Sequence, residues 1–241
     1  MIVAACAMAV AVALTGATSP AVVGGEMASI SDHPWVVALA DQAGFPFCDG
    51  TLTGPTTVVT AAHCVLGRPT GAIEVVGGRT DLGQITDGDS VTGVSAVAIP
   101  PTFLAAQRGE DIATLTLRDA FPYRTLPLAT ADFPPGTVGT VLGWGRVGGT
   151  PADTTTVLHQ AQVPVVADQT CRDTYDDFVE GSPYDSAAMF CAGDPTQPVG
   201  TCIGDDGGPL VIDGKLAGIV SWRIGCGTHP DYYTRVSAYS A

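Results

Sequence analysis

Short segments rich in β-branched and apolar residues recur along this sequence, each bounded by turn-forming residues. No long stretch has helical periodicity, and Ala167–Thr174 is the best short candidate for a helix. The chain has 30 glycines and 18 prolines in 241 residues, which suits many strands joined by tight turns. We therefore predict an all-β fold of the barrel type. The predicted strands are Trp35–Leu39, Thr56–Thr60, Ile73–Val76, Ser95–Ile99, Ile112–Leu117, Val138–Leu142, Val163–Val166, Leu210–Ile212 and Ala217–Ser221.

The centre of the sequence contains a segment with little periodicity. Residues 119–137 (DAFPYRTLPLATADFPPGT) hold four prolines, which disfavour both helix and central strand. We place the connection between two halves of the domain here. The first half then covers about residues 22–120 and the second about residues 121–241.

The amino-terminal region has the pattern of a secretory signal. The first eighteen residues carry no charge, an apolar run extends from Ile2 to Leu14, and small residues follow up to Ala21. The run is short for a bilayer span. We predict a signal peptide over residues 1–21 and a secreted, mature chain beginning at Val22. A cut after Ala17 with a short pro-segment is the alternative.

Charge and cysteine content limit the classes of partner. The formal net charge is −14 with only ten basic residues, so nucleic acid and anionic membranes are not expected partners. After the predicted signal, which contains Cys6, six cysteines remain without a CxxC pair. An even set in a secreted chain indicates disulfides rather than a metal site. Neither a metal nor a cofactor is predicted.

Three motifs carry candidate chemistry. They are Thr60-Ala61-Ala62-His63-Cys64, Asp111-Ile112-Ala113-Thr114-Leu115 and Gly204-Asp205-Asp206-Gly207-Gly208-Pro209. In order and spacing they resemble the TAAHC, DIAL and GDSGGP motifs of the chymotrypsin/trypsin-like serine peptidases. The resemblance spans residues 22 to about 240. It implies two packed six-stranded antiparallel β-barrels with a cleft between them. Val22-Val23-Gly24-Gly25, Leu142-Gly143-Trp144-Gly145 and Ser221-Trp222 extend the resemblance.

The resemblance also implies roles for individual residues. His63 would be the general base and Asp111 the buried carboxylate that orients it, with support from Ser221. Gly204 would supply a backbone N–H to the oxyanion hole. After processing, the amino group of Val22 would pair with Asp205. The implied disulfides are Cys48–Cys64, Cys171–Cys191 and Cys202–Cys226.

The nucleophile is where the sequence departs from the family, because Asp206 occupies the position of the serine. A carboxylate cannot be activated as a hydroxyl is, and its attack on an amide would give an unstable anhydride. We therefore predict a protein without peptidase activity. We also expect Asp206 to lie within hydrogen-bonding reach of His63 and to raise its pKa.

The substrate pocket departs from the family as well. Gly200 lies at the base position that holds aspartate in trypsins, while Asp231 lies on the other wall, where most relatives have glycine. Arg223, after Trp222, replaces another glycine. We expect Arg223 to reach Asp231 and block the pocket; an arginine turned to solvent is the alternative. Asp49 also replaces a glycine usual in the family.

Three functional hypotheses remain open at this point. The first is a non-catalytic, monomeric homologue that binds peptide or protein in the cleft. The second is an active serine endopeptidase in which Asp206 is an error or an engineered change. The third is a decaying gene product, consistent with an uncharged start and with an end at Ala241, where the family's C-terminal helix begins.

Overall fold

The computed structural model describes residues 22–84, 89–180, 184–194 and 196–240. The predicted signal peptide lies outside these residues. The strands are β1 (Glu26–Met27), β2 (Val36–Ala40), β3 (Pro46–Gly54), β4 (Thr57–Thr60), β5 (Glu74–Gly77), β6 (Ser90–Ala98), β7 (Ala113–Leu117), β8 (Val138–Gly143), β9 (His159–Pro164), β10 (Met189–Ala192), β11 (Pro209–Ile212), β12 (Lys215–Trp222) and β13 (Asp231–Arg235).

Helical structure is sparse in the described residues. The two α-helices are α1 (Ala62–Val65) and α2 (Asp168–Asp176), and α2 overlaps the predicted helix candidate. Short 3₁₀ turns cover Thr70–Ala72, Ala106–Arg108, Pro151–Asp153 and Val236–Tyr239. No helix among the described residues is long and apolar enough to cross a membrane.

The first half of the chain forms a closed barrel. Its strands follow the order β2-β3-β4-β7-β6-β5, and antiparallel pairing of β2 with β5 closes it. Strand β2 is buried along its whole length, because its side chains face the barrel interior on one side and the second sheet on the other. Closure leaves the barrel without an unpaired edge strand.

The second half forms an antiparallel sheet of the order β1-β9-β8-β11-β12-β13-β10. Strand β1 has two residues, and the other six correspond to the second predicted barrel. A bridge between Val165 and Ala192 brings the two ends of this sheet together. The prediction of an all-β fold with two trypsin-like barrels is confirmed. Residues 118–137 join the barrels, while β1 pairs with the second sheet although it precedes the first barrel.

Three disulfides cross-link the described residues. They join Cys48 to Cys64, Cys171 to Cys191 and Cys202 to Cys226, which are the pairings that the family resemblance implies. The first anchors β3 to the helix that carries His63. The third joins the segment before Asp206 to the segment after Arg223.

Candidate active site

His63 and Asp111 meet at the edge of the first barrel. Helix α1 carries His63, and Asp111 lies just before β7. One oxygen of Asp111 accepts the backbone N–H of His63 at 2.8 Å, and the other lies 2.7 Å from His63 Nδ1. Because Asp111 is fully buried and bonds both groups, it fixes the position and the tautomer of the imidazole ring. The ring is about one third exposed and faces the cleft.

The second barrel completes the environment of Asp111. The hydroxyl of Ser221, on β12, donates to Asp111 Oδ2 at 2.6 Å. The hydroxyl of Thr234, on β13, donates to the backbone carbonyl of Asp111 at 2.8 Å. Both barrels therefore hold the carboxylate, and the His63–Asp111–Ser221 arrangement is complete in this chain.

The environment of His63 favours the protonated ring. Burial alone would lower its pKa, but the hydrogen bond and the charge of Asp111, with a further contribution from Asp206, outweigh burial. The net result is a raised pKa of His63. The positive charge of Arg223 acts in the opposite direction and is the smallest of these effects.

Asp206 does not bond His63, contrary to the sequence-based expectation. Its Oδ1 accepts a hydrogen bond from Nη2 of Arg223, and no ion pair or hydrogen bond joins Asp206 to His63 in the described part of the chain. The reason is electrostatic: Arg223 supplies a permanent cation next to Asp206, whereas the imidazole of His63 is a cation only when it is protonated.

Arg223 likewise does not pair with Asp231, so that prediction is wrong. Its Nε donates to Oγ1 of Thr201 at 3.1 Å while Nη2 bonds Asp206. The side chain is 11% exposed, so the alternative of an arginine turned to solvent is wrong as well. Arg223 therefore lies in the pocket, bound to Asp206 and to the side chain of Thr201 rather than to Asp231.

Asp231 remains a buried carboxylate in the wall of the pocket. It is 1% exposed, its Oδ2 accepts the N–H of Thr201 at 2.5 Å, and its Oδ1 has no partner. A Cβ on Gly200 would lie 2.6 Å from Oδ2, so the carboxylate lies directly against the base of the pocket. Burial raises the pKa of Asp231 to about 7, although the Thr201 N–H and the charge of Arg223 act to lower it.

The residues before Asp206 are held from the second barrel. The carboxylate of Asp205 is fully buried and accepts the N–H groups of Gly145 and Cys202, each at 2.8 Å. Gly204, which the family resemblance predicts at the oxyanion hole, has φ of +106°, a backbone conformation that favours glycine. Val22 is fully buried in the core of the second barrel, and its neighbour Val23 bridges to Gly200.

The cleft beside His63 and Trp222 has a volume of about 510 Å³. Sequence reasoning missed several of its residues, because they belong to no motif. They include the half-exposed Leu66 and the 70% exposed Leu104, and Thr201 was also missed in the adjoining pocket. Thr201 could have been predicted as a pocket residue, because it lies between Gly200, which the sequence predicts at the base of the pocket, and Cys202.

Comparison with known proteins agrees with this geometry. The family model described as Trypsin matches residues 22–241. A protein named Trypsin from Saccharopolyspora erythraea is 42% identical over 225 residues, which cover 90% of this chain and 94% of the relative. A vitellin-degrading protease from Bombyx mori is 34% identical over 231 residues, covering 90% of this chain and 82% of the relative. The chain therefore belongs to the trypsin-like serine peptidase family.

Proposed function

We propose that this chain is a secreted, non-catalytic member of the trypsin family that binds peptide or protein segments in its cleft without cleaving them. One observation carries the proposal: the residue at the nucleophile position is a carboxylate, Asp206, and it is bound to Arg223. His63 is bonded to Asp111 and Gly204 is retained, so the proposed loss of activity rests on the nucleophile and the pocket.

The chemistry of Asp206 supports the absence of peptidase activity. His63 cannot create a nucleophile from a carboxylate, because an ionised Asp206 has no proton to give. Enzymes of this kind that lack one triad member retain only about 10³–10⁴-fold acceleration over the uncatalysed reaction, from the oxyanion hole and binding. A carboxylate near the oxyanion site also repels the negative charge that develops there.

The position of Arg223 supports a second block. Its guanidinium bonds both Asp206 and Thr201, and therefore fills space that the side chain of a bound substrate would enter. Asp231, the acidic residue of the pocket wall, lies behind it with one oxygen unpaired. We infer that the primary pocket is closed to basic side chains while Arg223 occupies it.

The neighbouring cleft is open and supports binding. It is lined partly by exposed apolar side chains, among them Leu66 and Leu104, and by Trp222. Exposed apolar surface in a cleft favours a peptide with apolar side chains. The net charge of −14 argues against nucleic acid or anionic membranes as partners, and we propose a monomer.

Maturation at Val22 fits the buried carboxylate of Asp205. Asp205 accepts two backbone N–H groups, but no Lys, Arg or His lies within ion-pair distance of it in the described residues. Burial raises the pKa of Asp205 to about 6, so a cation would stabilise its charged form. We propose that the ammonium group of a mature Val22 fills this role. Three disulfides support secretion.

The test combines binding and cleavage in one sample. The purified chain beginning at Val22 is titrated with peptides that carry apolar side chains, and binding is followed by NMR. The masses of the recovered peptides are then measured by mass spectrometry. We expect shifts at Trp222 and Leu104 and intact peptides. Leu104→Ser should weaken binding, whereas Val138→Ser, an exposed apolar residue of β8 outside the cleft, is the matched control. Binding that Leu104→Ser leaves unchanged would contradict the proposed site.

A further inference from the structure

Asp49 is a buried acid that the proposed function does not use. It lies on β3 of the first barrel, is 1% exposed, and bonds the second barrel at two points. Its Oδ2 accepts the N–H of Trp144 at 3.1 Å, and its own N–H donates to the carbonyl of Asp206 at 2.7 Å. Asp49 is therefore part of the joint between the barrels.

A second buried carboxylate, that of Asp205, lies beside Asp49. A Cβ built on Gly143 would lie within 2.6 Å of both Asp49 Oδ2 and Asp205 Oδ1, so these two oxygens flank the same point. The consecutive N–H groups of Trp144 and Gly145 are divided between the two acids. No cationic side chain of the described residues lies within ion-pair distance of either carboxylate.

Two adjacent buried carboxylates without a cation cannot both remain ionised at low energetic cost. We propose that Asp49 and Asp205 form a carboxyl–carboxylate pair that holds one proton between the two barrels, with the proton on Asp49, and that loss of this proton weakens the joint at alkaline pH.

The hydrogen bonds assign the proton within the pair. Asp205 accepts one backbone N–H on each oxygen, an arrangement that favours the ionised form. Asp49 accepts one backbone N–H, on Oδ2. Burial and then the charge of Asp205 raise the pKa of Asp49 well above its usual value, whereas burial raises that of Asp205 only to about 6.

The other charged groups near the pair do not remove the need for this proton. Asp206 adds negative charge next to both members, and the charge of Asp205 also acts on Asp231 and Tyr233. The positive charge of Arg223 lowers the pKa of Asp205, but the guanidinium itself is bonded to Asp206. An ammonium group at Val22 would offset only one of the two carboxylate charges, so the proton on Asp49 is required in the mature chain as well.

The sign of the pH effect follows from the raised pKa of Asp49. Between the unfolded value of about 3.9 and the folded value, the native state binds a proton that the unfolded state does not. The stability of the native state therefore falls as pH rises through this window. Asp49→Asn should remove this pH dependence, because the amide has nearly the same shape as the carboxyl group and does not ionise.

The experiment compares the unmodified protein with Asp49→Asn from pH 4 to pH 9 by thermal unfolding. We expect similar Tm values near pH 4 and a Tm at least about 3 °C higher for Asp49→Asn at pH 8. Asp213→Asn is the control, since it removes one exposed carboxylate at φ of +50°, where asparagine is tolerated, and should follow the unmodified protein.

The protonation state of Asp49 can also be measured directly in the unmodified protein, so this test does not require the variant to fold. Carbon NMR of the side-chain carboxyl groups in the unmodified protein should show Asp49 protonated at pH 7. An ionised Asp49 at pH 7, or a Tm difference between the unmodified protein and Asp49→Asn that does not change with pH, would overturn the proposal.

Discussion

The guanidinium of Arg223 is hydrogen-bonded to the carboxylate of Asp206, so two departures from the family pattern form one ion pair. By the family resemblance of the sequence, Asp206 takes the position of the nucleophilic serine and Arg223 that of a glycine in the substrate-binding segment. Both side chains are largely buried, at 22% and 11% exposed. Each side chain therefore neutralises the charge of the other. Changing only Asp206 to serine, or only Arg223 to glycine, leaves the remaining charge unpaired.

The first prediction is energetic coupling between these two residues. Asp206→Ser should lower the free energy of unfolding by about 1–3 kcal/mol, because the buried guanidinium loses its anion. Adding Arg223→Gly should recover part of this loss, with a coupling energy of about 1 kcal/mol or more. Denaturant unfolding of both single variants and the double variant measures it. Strictly additive effects would mean that the ion pair contributes nothing.

A matched control for that cycle is the pair of Arg235 and Asp132. The Nη1–Oδ2 distance is 3.0 Å, but Asp132 is 58% exposed. Asp132→Asn should therefore cost less than about 1 kcal/mol, since exposed ion pairs contribute little.

The second prediction concerns cation binding in the pocket. Benzamidine should not bind measurably to the unmodified protein, because Arg223 occupies the pocket. Arg223→Gly should create a binding site at Asp231, whose Oδ1 has no partner, and a further Asp231→Asn change should abolish it. Calorimetric titration measures all three. Tight binding to the unmodified protein would refute occupation of the pocket by Arg223.

The third prediction is a change in the titration of His63. Its raised pKa contributes stability that is fully present below about pH 6.5 and is lost as pH rises through the folded value. Asp206→Ser removes one negative charge and leaves Arg223 unpaired, so the pKa of His63 should fall. Stability from this source should then decrease at mildly acidic pH and be unaffected at alkaline pH.

NMR titration of the imidazole protons measures this shift. His159 is a suitable internal control, because its pKa is set by burial, which lowers it, and by the carbonyl of Val157, which lies 2.7 Å from its Nδ1. The effect of Asp206 on His63 would be disproved by identical His63 titrations in the two proteins.

Local sequence patterns predicted much of the fold but not all strands. β3 (Pro46–Gly54) was missed because its sequence, PFCDGTLTG, contains proline, aspartate and glycine, which are unfavourable in strands. Its pairing on both edges, with β2 and β4, outweighs those preferences. β13 was missed for a similar reason, since Asp231 precedes Tyr232 and Tyr233 after a proline.

Motifs predicted the positions of the site residues better than their contacts. The close approach of His63, Asp111 and Ser221 follows from the family spacing. The partner of Arg223 does not follow from the spacing. Its side chain is long and flexible and can reach either Asp206 or Asp231, and the sequence does not show which of the two it bonds. The joint at Asp49 was equally inaccessible, since Asp49 and Trp144 are 95 positions apart.

The fourth prediction is that activity requires both family residues. Asp206→Ser alone should remain nearly inactive, because Arg223 still occupies the pocket. Arg223→Gly alone lacks a nucleophile. The double variant, processed to begin at Val22, should hydrolyse peptide amides at least about 10²-fold faster than either single variant, since His63 and Asp111 are already in position. A double variant no faster than Asp206→Ser would show that a further residue blocks the site.

The central claim is that the unmodified protein does not catalyse peptide hydrolysis through His63. The most direct measurement compares kcat/KM for a panel of peptide amides between the purified mature protein and its His63→Ala variant. We predict equal values, both at the background of the assay. Hydrolysis by the unmodified protein that the His63→Ala change abolishes would contradict the account.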